Sequence, residues 1–142
     1  MRKNLFRGVL KADNLPYYHK GQWVYGDYVR LVDGKRIIPH IYGCGEIEPD
    51  TEGQYIGLDD KNGKEIYEGD IVHAIYKSGY MGIPDKDFGI GVIRYNGTYY
   101  GGAAYQIDMI GEPGCRVFSA SVQVEVIGNV HDNPEMLKEC VD

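Results

Sequence analysis

The sequence predicts a mainly β protein: an N-terminal β region, a small barrel, and one short C-terminal helix. Three observations carry that expectation. Hairpin turn dipeptides recur at Asp33-Gly34, Asn62-Gly63 and Asn96-Gly97, residue pairs that tolerate φ > 0. Between them run segments rich in tyrosine and β-branched residues, many of which alternate in the way a half-buried strand does. The 20 glycines among 142 residues are scattered without a period, as turns and bulges require.

In chain order, Leu5–Leu10 reads as an opening strand. Lys11–Gly21, with Asp13-Asn14, Pro16 and Gly21, reads as a loop carrying Tyr17-Tyr18-His19. Gln22–Leu31 is the strongest strand of the first third. Its alternation sets Trp23, Tyr25 and Asp27 on one face and Val24, Gly26 and Tyr28 on the other, and a core role is the default for Trp23. After Asp33-Gly34, Arg36–Tyr42 returns as a strand, with Pro39 favouring an edge. Gly43–Asp50 is the connector between residues 1–50, the N-terminal β region, and residues 51–142, the barrel and its helix.

Gln54–Leu58 and Lys64–Tyr67 flank the Asn62-Gly63 turn, with Asp59-Asp60-Lys61 able to widen it. Glu68-Gly69-Asp70 is a second turn that uses the left-handed freedom of Gly69, and Ile71–Tyr76 follows as a β-branched strand. Lys77–Phe88 is a long polar loop, a usual place for functional residues. Gly89–Tyr95 and Thr98–Ile107 form a hairpin about Asn96-Gly97. Ser121–Val130 is the last strand, with Val122, Val124 and Val126 on one face. Asn133-Pro134-Glu135 is a helix start: cap, proline at the first helical position, acid in the first turn.

Composition excludes several classes. No apolar run approaches the ~20 residues of a membrane span. The basic start, Met1–Arg7, has no apolar region behind it, so a secretory signal is not expected. Cys44, Cys115 and Cys140 are odd in number and widely spaced, which fits a reducing cytosol better than a disulfide framework or a zinc site. Thirteen tyrosines against three phenylalanines suit sheet packing first and a binding face second. Charge is segregated: residues 1–43 carry +5, residues 44–70 carry −7 and residues 71–142 carry −4, for a net −6.

Chemistry-bearing motifs are absent or fail on spacing. With Gly63 at position 6 of a calcium loop, Asn62 falls at 5 and Asp60 at 3, but Leu58 sits at 1 where Asp is needed. His19, His40, His73 and His131 show no metal-ligand spacing, no serine sits in a GxSxG elbow, and Gly89 and Gly91 do not form a dinucleotide fingerprint. No catalytic residue, metal or cofactor is expected, and the chain is read as a non-enzyme.

The segments Phe6-Arg7-Gly8, Gly21–Gly26, Gly53–Val72 and Val126–Glu135 resemble, in order, the YopX-like family of bacteriophage and prophage proteins. The resemblance implies that the barrel is of SH3 type and that the source is a phage or prophage. It implies no activity, and no binding residue carries over. The loop about Tyr17-Tyr18-His19 and the Lys77–Phe88 segment fall outside it.

Two functions remain. The first is a protein-interaction or assembly module, self-associating or with an unknown protein partner, in the cytoplasm of a bacterial host. The alternative is a nucleic-acid-binding barrel that uses Arg7, Lys11, Tyr17, Tyr18, Lys20, Lys35 and Arg36, with cations for phosphates and rings for stacking. The acidity of the whole chain favours the first.

Overall fold

The structure is a computed structural model. It describes residues 6–13, 15–32, 34–38, 45–99, 102–111, 114–117 and 121–138, with backbone alone at 34–38, 96–99, 102–104, 115–117 and 138. The chain divides into two compact units, Met1–Tyr55 and Ile56–Asp142, the division falling inside a strand.

The first unit contains β1 (Phe6–Val9), β2 (Trp23–Leu31), β3 (Gly34–Ile38), β4 (Gly45–Glu46) and the start of β5 (Gly53–Asp59), hydrogen-bonded in the order β4-β3-β2-β1-β5. β1 is antiparallel to both of its neighbours, with Gly8 opposite Val24 and Arg7 opposite Gly53. Leu10 exchanges backbone hydrogen bonds with Gln22 and Gly21 and so closes the Lys11–Gly21 loop. Thr51 ties down the far end: its hydroxyl accepts from Val9 N–H at 3.0 Å and donates to the Glu48 carbonyl at 2.7 Å. The core is Leu10, Leu15, Val24 and Ile47, with Tyr18 and Tyr28 packed on it.

The alternation expected of Gln22–Leu31 is present, but its core face is not the tryptophan face. Val24 is fully buried and Trp23 only half-buried, with the Arg7 guanidinium 4.6 Å from its ring centre. β2 and β3 pair Leu31 with Gly34, so their connection is residues 32–33, one position earlier than a turn centred on Asp33-Gly34. Asp33 itself lies outside the described residues, as do Leu5, Pro39, His40, Cys44 and Cys140.

The second unit holds the rest of β5, then β6 (Glu65–Tyr67), β7 (Asp70–Tyr76), β8 (Lys86–Tyr99), β9 (Gly102–Met109), β10 (Cys115–Val117) and β11 (Val122–Asn129). β5 is hydrogen-bonded to β6, and the other strands form a sheet in the order β10-β9-β8-β7-β11. Its core is Ile66, Val72, Ala74, Ile93, Ile107 and Val124, flanked by Ile56, Phe88 and Met109. Val124 supplies the buried valine of the face that alternation assigned.

Three expectations are corrected here. No closed barrel of SH3 type forms among the described residues: the five strands run in the order β10-β9-β8-β7-β11, and β10 and β11 do not pair with each other. The C-terminal helix is a 3-10 helix, Pro134–Lys138. Asn96-Gly97 is not the hairpin turn. Tyr95 pairs with Tyr105 and Thr98 with Ala103, so residues 96–97 are a bulge within β8. The β8–β9 connection moves to residues 100–101, which lie outside the described residues.

Asn62-Gly63 does turn the chain, with different geometry. Gly63 has φ +81°, whereas Asn62 is not in the left-handed region, so this is not a type I′ turn. Gly63 N–H donates to the Asp60 carbonyl, and Asp60 N–H to the Lys64 carbonyl. That is a wider loop, Lys61-Asn62-Gly63, in which the glycine supplies the left-handed residue after a type I turn. Farther on, Asn129 Oδ1 accepts from His131 and Asp132 N–H, and Asn133 Oδ1 accepts from Asn129 N–H. A Cβ on Gly128 would lie 2.6 Å from Asn133 Oδ1, which explains the glycine beside this turn.

Candidate interaction surface

The loop between β7 and β8 is built from its base outward. Lys77 N–H donates to the Ser121 carbonyl at 2.7 Å, fixing its start. Ser78 is buried, and its N–H donates to Asp85 Oδ1 at 3.1 Å while Lys77 Nζ donates to Asp85 Oδ2 at 3.1 Å. The Ser78 hydroxyl donates to the Ile83 carbonyl at 2.5 Å and lies 3.4 Å from the Tyr80 N–H. At the exit, His73 Nε2 lies 2.8 Å from Asp87 Oδ1, which also accepts the Gly89 N–H.

These bonds hold both carboxyls below the ordinary aspartate value. For Asp85 the Lys77 bond is the main cause, followed by the Ser78 N–H. For Asp87 the Gly89 N–H comes first, then His73. Both therefore remain anionic at neutral pH and keep their grip on the loop ends.

The tip is a turn, Tyr80-Met81-Gly82-Ile83, closed by Ile83 N–H to the Tyr80 carbonyl at 3.2 Å. Gly82 has φ +86°, the left-handed conformation that the third position of a type II turn needs. The turn carries apolar side chains into solvent: Met81 is fully exposed, Tyr80 73% exposed and Ile83 58%. Three large apolar groups side by side on a hydrogen-bonded loop are the kind of exposed patch that marks an interaction site. By its charged, serine and glycine residues the segment reads as a polar loop. The signal was the run of large apolar residues between Gly79 and Pro84, where a loop ordinarily carries small or polar ones.

The basic first third is less available than its composition suggests. Arg7 is 6% exposed and stacked on Trp23, a place from which a guanidinium does not reach a phosphate backbone. Lys11 pairs with Glu46 at 3.4 Å. Tyr18 packs on the first core, whereas Tyr17 is exposed at φ +69°. Lys20 is exposed, its N–H bonded to Asp13. Lys35 and Arg36 lie on β3 opposite Arg30 and Val29, and their side chains are outside the described residues.

Among the described residues, no group of three or more His, Cys, Asp or Glu side chains is placed to hold a metal ion. At the acidic hairpin the reason is chemical: the Asp60 carboxylate faces the N–H groups of Asn62, Lys64 and Val126, at 2.9 Å each. Three N–H donors take up most of this carboxylate's accepting capacity. No helix among the described residues is long and apolar enough to cross a membrane.

These features define a mainly β protein of two antiparallel sheets with an apolar-tipped loop. The family model described as YopX protein matches residues 5–138, and the chain belongs to that family. No match was found among curated proteins.

Proposed function

We propose that this chain is a non-enzymatic protein-interaction or assembly module that docks through the Tyr80–Ile83 turn. The observation that carries the reading is an apolar tip held in one conformation by Ser78, Lys77 and Asp85. A tip ordered before binding loses little conformational freedom on docking, so its apolar area converts efficiently into affinity. The burial of Arg7 and the pairing of Lys11 weigh against the nucleic-acid alternative. A phage or prophage origin, implied by the family resemblance, and a place in the host cytoplasm, implied by the cysteine pattern, go with this reading.

The test places a photo-crosslinking residue at Met81 in the full chain, in cells, beside salt-titrated binding to single- and double-stranded DNA and RNA. The expected result is a discrete protein adduct that Tyr80→Ser and Ile83→Ser reduce, with no nucleic-acid binding. Micromolar nucleic-acid binding that weakens steeply with salt would overturn the reading.

A further inference from the structure

We propose that Met81 is a redox-sensitive modification site: oxidation of its thioether to the sulfoxide by hydrogen peroxide weakens docking through the Tyr80–Ile83 turn. This rests on the interaction reading above and names the regulation of that same turn.

Neither the fold nor the turn needs a methionine at this position. The side chain is fully exposed and adds nothing to either core. It occupies the second position of the turn, where a type II turn commonly takes proline. The bonds that shape the loop come from Ser78, Lys77 and Asp85 and from the backbone of Tyr80 and Ile83. Position 81 therefore presents a flexible, apolar thioether to solvent at the crest of an ordered turn.

Exposure also sets this sulfur apart chemically, because oxidation requires that the oxidant reach it. Met109 packs on the second core, and Met136 is half-buried in the 3-10 helix. Among the described methionines, Met81 is thus the first that peroxide reaches. The sulfur lone pair attacks one peroxide oxygen and the O–O bond breaks. The departing hydroxide takes the proton of the transferred hydroxyl and leaves as water. Sulfur loses two electrons and the peroxide gains them. Two thiols, acting through a methionine sulfoxide reductase, reverse the step: the oxygen leaves as water and a disulfide forms.

The product carries a polar S–O group where the turn had an apolar one. Taken into an apolar contact, that oxygen loses its water without gaining a donor, which opposes docking. The bonds that order the loop involve no atom of the Met81 side chain, so the turn itself stays folded.

Two measurements test this. Peptide mass mapping of the purified full chain during peroxide treatment is expected to show the sulfoxide at Met81 well before Met109 or Met136, with the unfolding midpoint hardly moved. In cells, a photo-crosslinking residue at Tyr80 reads the protein adduct before and after a peroxide pulse. The adduct is expected to fall about tenfold. It is expected to persist through the pulse in Met81→Leu, which keeps the apolar bulk and has no sulfur. Oxidation of Met109 or Met136 ahead of Met81 overturns the proposal. So does an adduct that survives with Met81 oxidised, or one lost equally in Met81→Leu, where the cysteines or the partner would be the cause. An unoxidised chain that gives no adduct from position 80 or 81 removes the interaction reading itself, and the switch falls with it.

Discussion

One carboxylate, Asp60, both closes its own hairpin loop and ties it to β11 in the second unit. Its Oδ1 accepts from Asn62 and Lys64 N–H, and its Oδ2 accepts from Val126 N–H on β11. Beside it, Lys61 N–H donates to the Val124 carbonyl at 3.0 Å. The hairpin loop thereby takes the place of a further strand along the outer edge of β11, which would otherwise offer unpaired groups to another chain. Burial pushes the Asp60 carboxyl up, but the Val126, Lys64 and Asn62 N–H groups and the Lys64 charge outweigh it, and the net shift is below 3.8. Asp60→Asn turns one accepting oxygen into a donor that faces another donor. It is expected to cost about 1–3 kcal/mol, read as a lower denaturant midpoint at unchanged slope. An Asn variant as stable as the wild type would show that the charge and second oxygen are not what holds the edge.

At the scale of elements, the β7–β8 loop separates stability from docking. A Cβ on Gly82 would meet nothing within 4 Å, so the cost of Gly82→Ala is conformational, about 1 kcal/mol at a left-handed position. That cost falls on the turn. The expected outcome is faster hydrogen exchange at the Ile83 amide, with the unfolding midpoint hardly moved, since the core at Val72, Ile93 and Ile107 is untouched. A large fall in the midpoint would mean that the turn supports the sheet and is no independent tip. What was legible in the sequence divides along the same line. Turns set by their own residues were readable: Gly69 has φ +91° where Glu68-Gly69-Asp70 was read as a turn, and Gly63 supplies the left-handed residue of its loop. Features set by neighbours distant in sequence were not. Asn96-Gly97 has turn chemistry, yet the β8–β9 register makes it a bulge. The solitary tryptophan flanks the first core rather than entering it, because Gly8 and Val24 share the other face of the β1–β2 pair. Lys11 and Glu46, or His73 and Asp87, meet only after the strands between them have paired. The exposure of Met81 follows from a loop base whose partners, Ser78 and Asp85, flank it in sequence without any motif to announce them.

For the whole molecule, titration sets two limits on stability, both in the unit Ile56–Asp142. Asp60, Asp85 and Asp87 are all held below the ordinary 3.8, so the folded chain binds fewer protons than the unfolded chain in that region. Their contribution is complete above 3.8 and is lost as pH falls through the lower folded values. Tyr105 has the opposite shift: burial first, then the charges of Glu68 and Tyr95, raise it above 10.0. Above 10.0 the unfolded phenol ionises before the folded one, so stability falls as pH rises toward the folded value. A plateau between these limits is expected in chemical denaturation repeated over pH. Salt separates the acid contributors. Asp85 and Asp87 are exposed and owe part of their shift to Lys77 and His73, attractions that added salt screens. Asp60 is buried and bonded to backbone N–H groups, so its share of the acid limb persists at high salt and disappears in Asp60→Asn. Tyr105→Phe flattens the alkaline limb alone. An acid limb abolished by salt in the wild type would transfer the effect to the two loop aspartates and remove Asp60 as the group that limits this unit in acid.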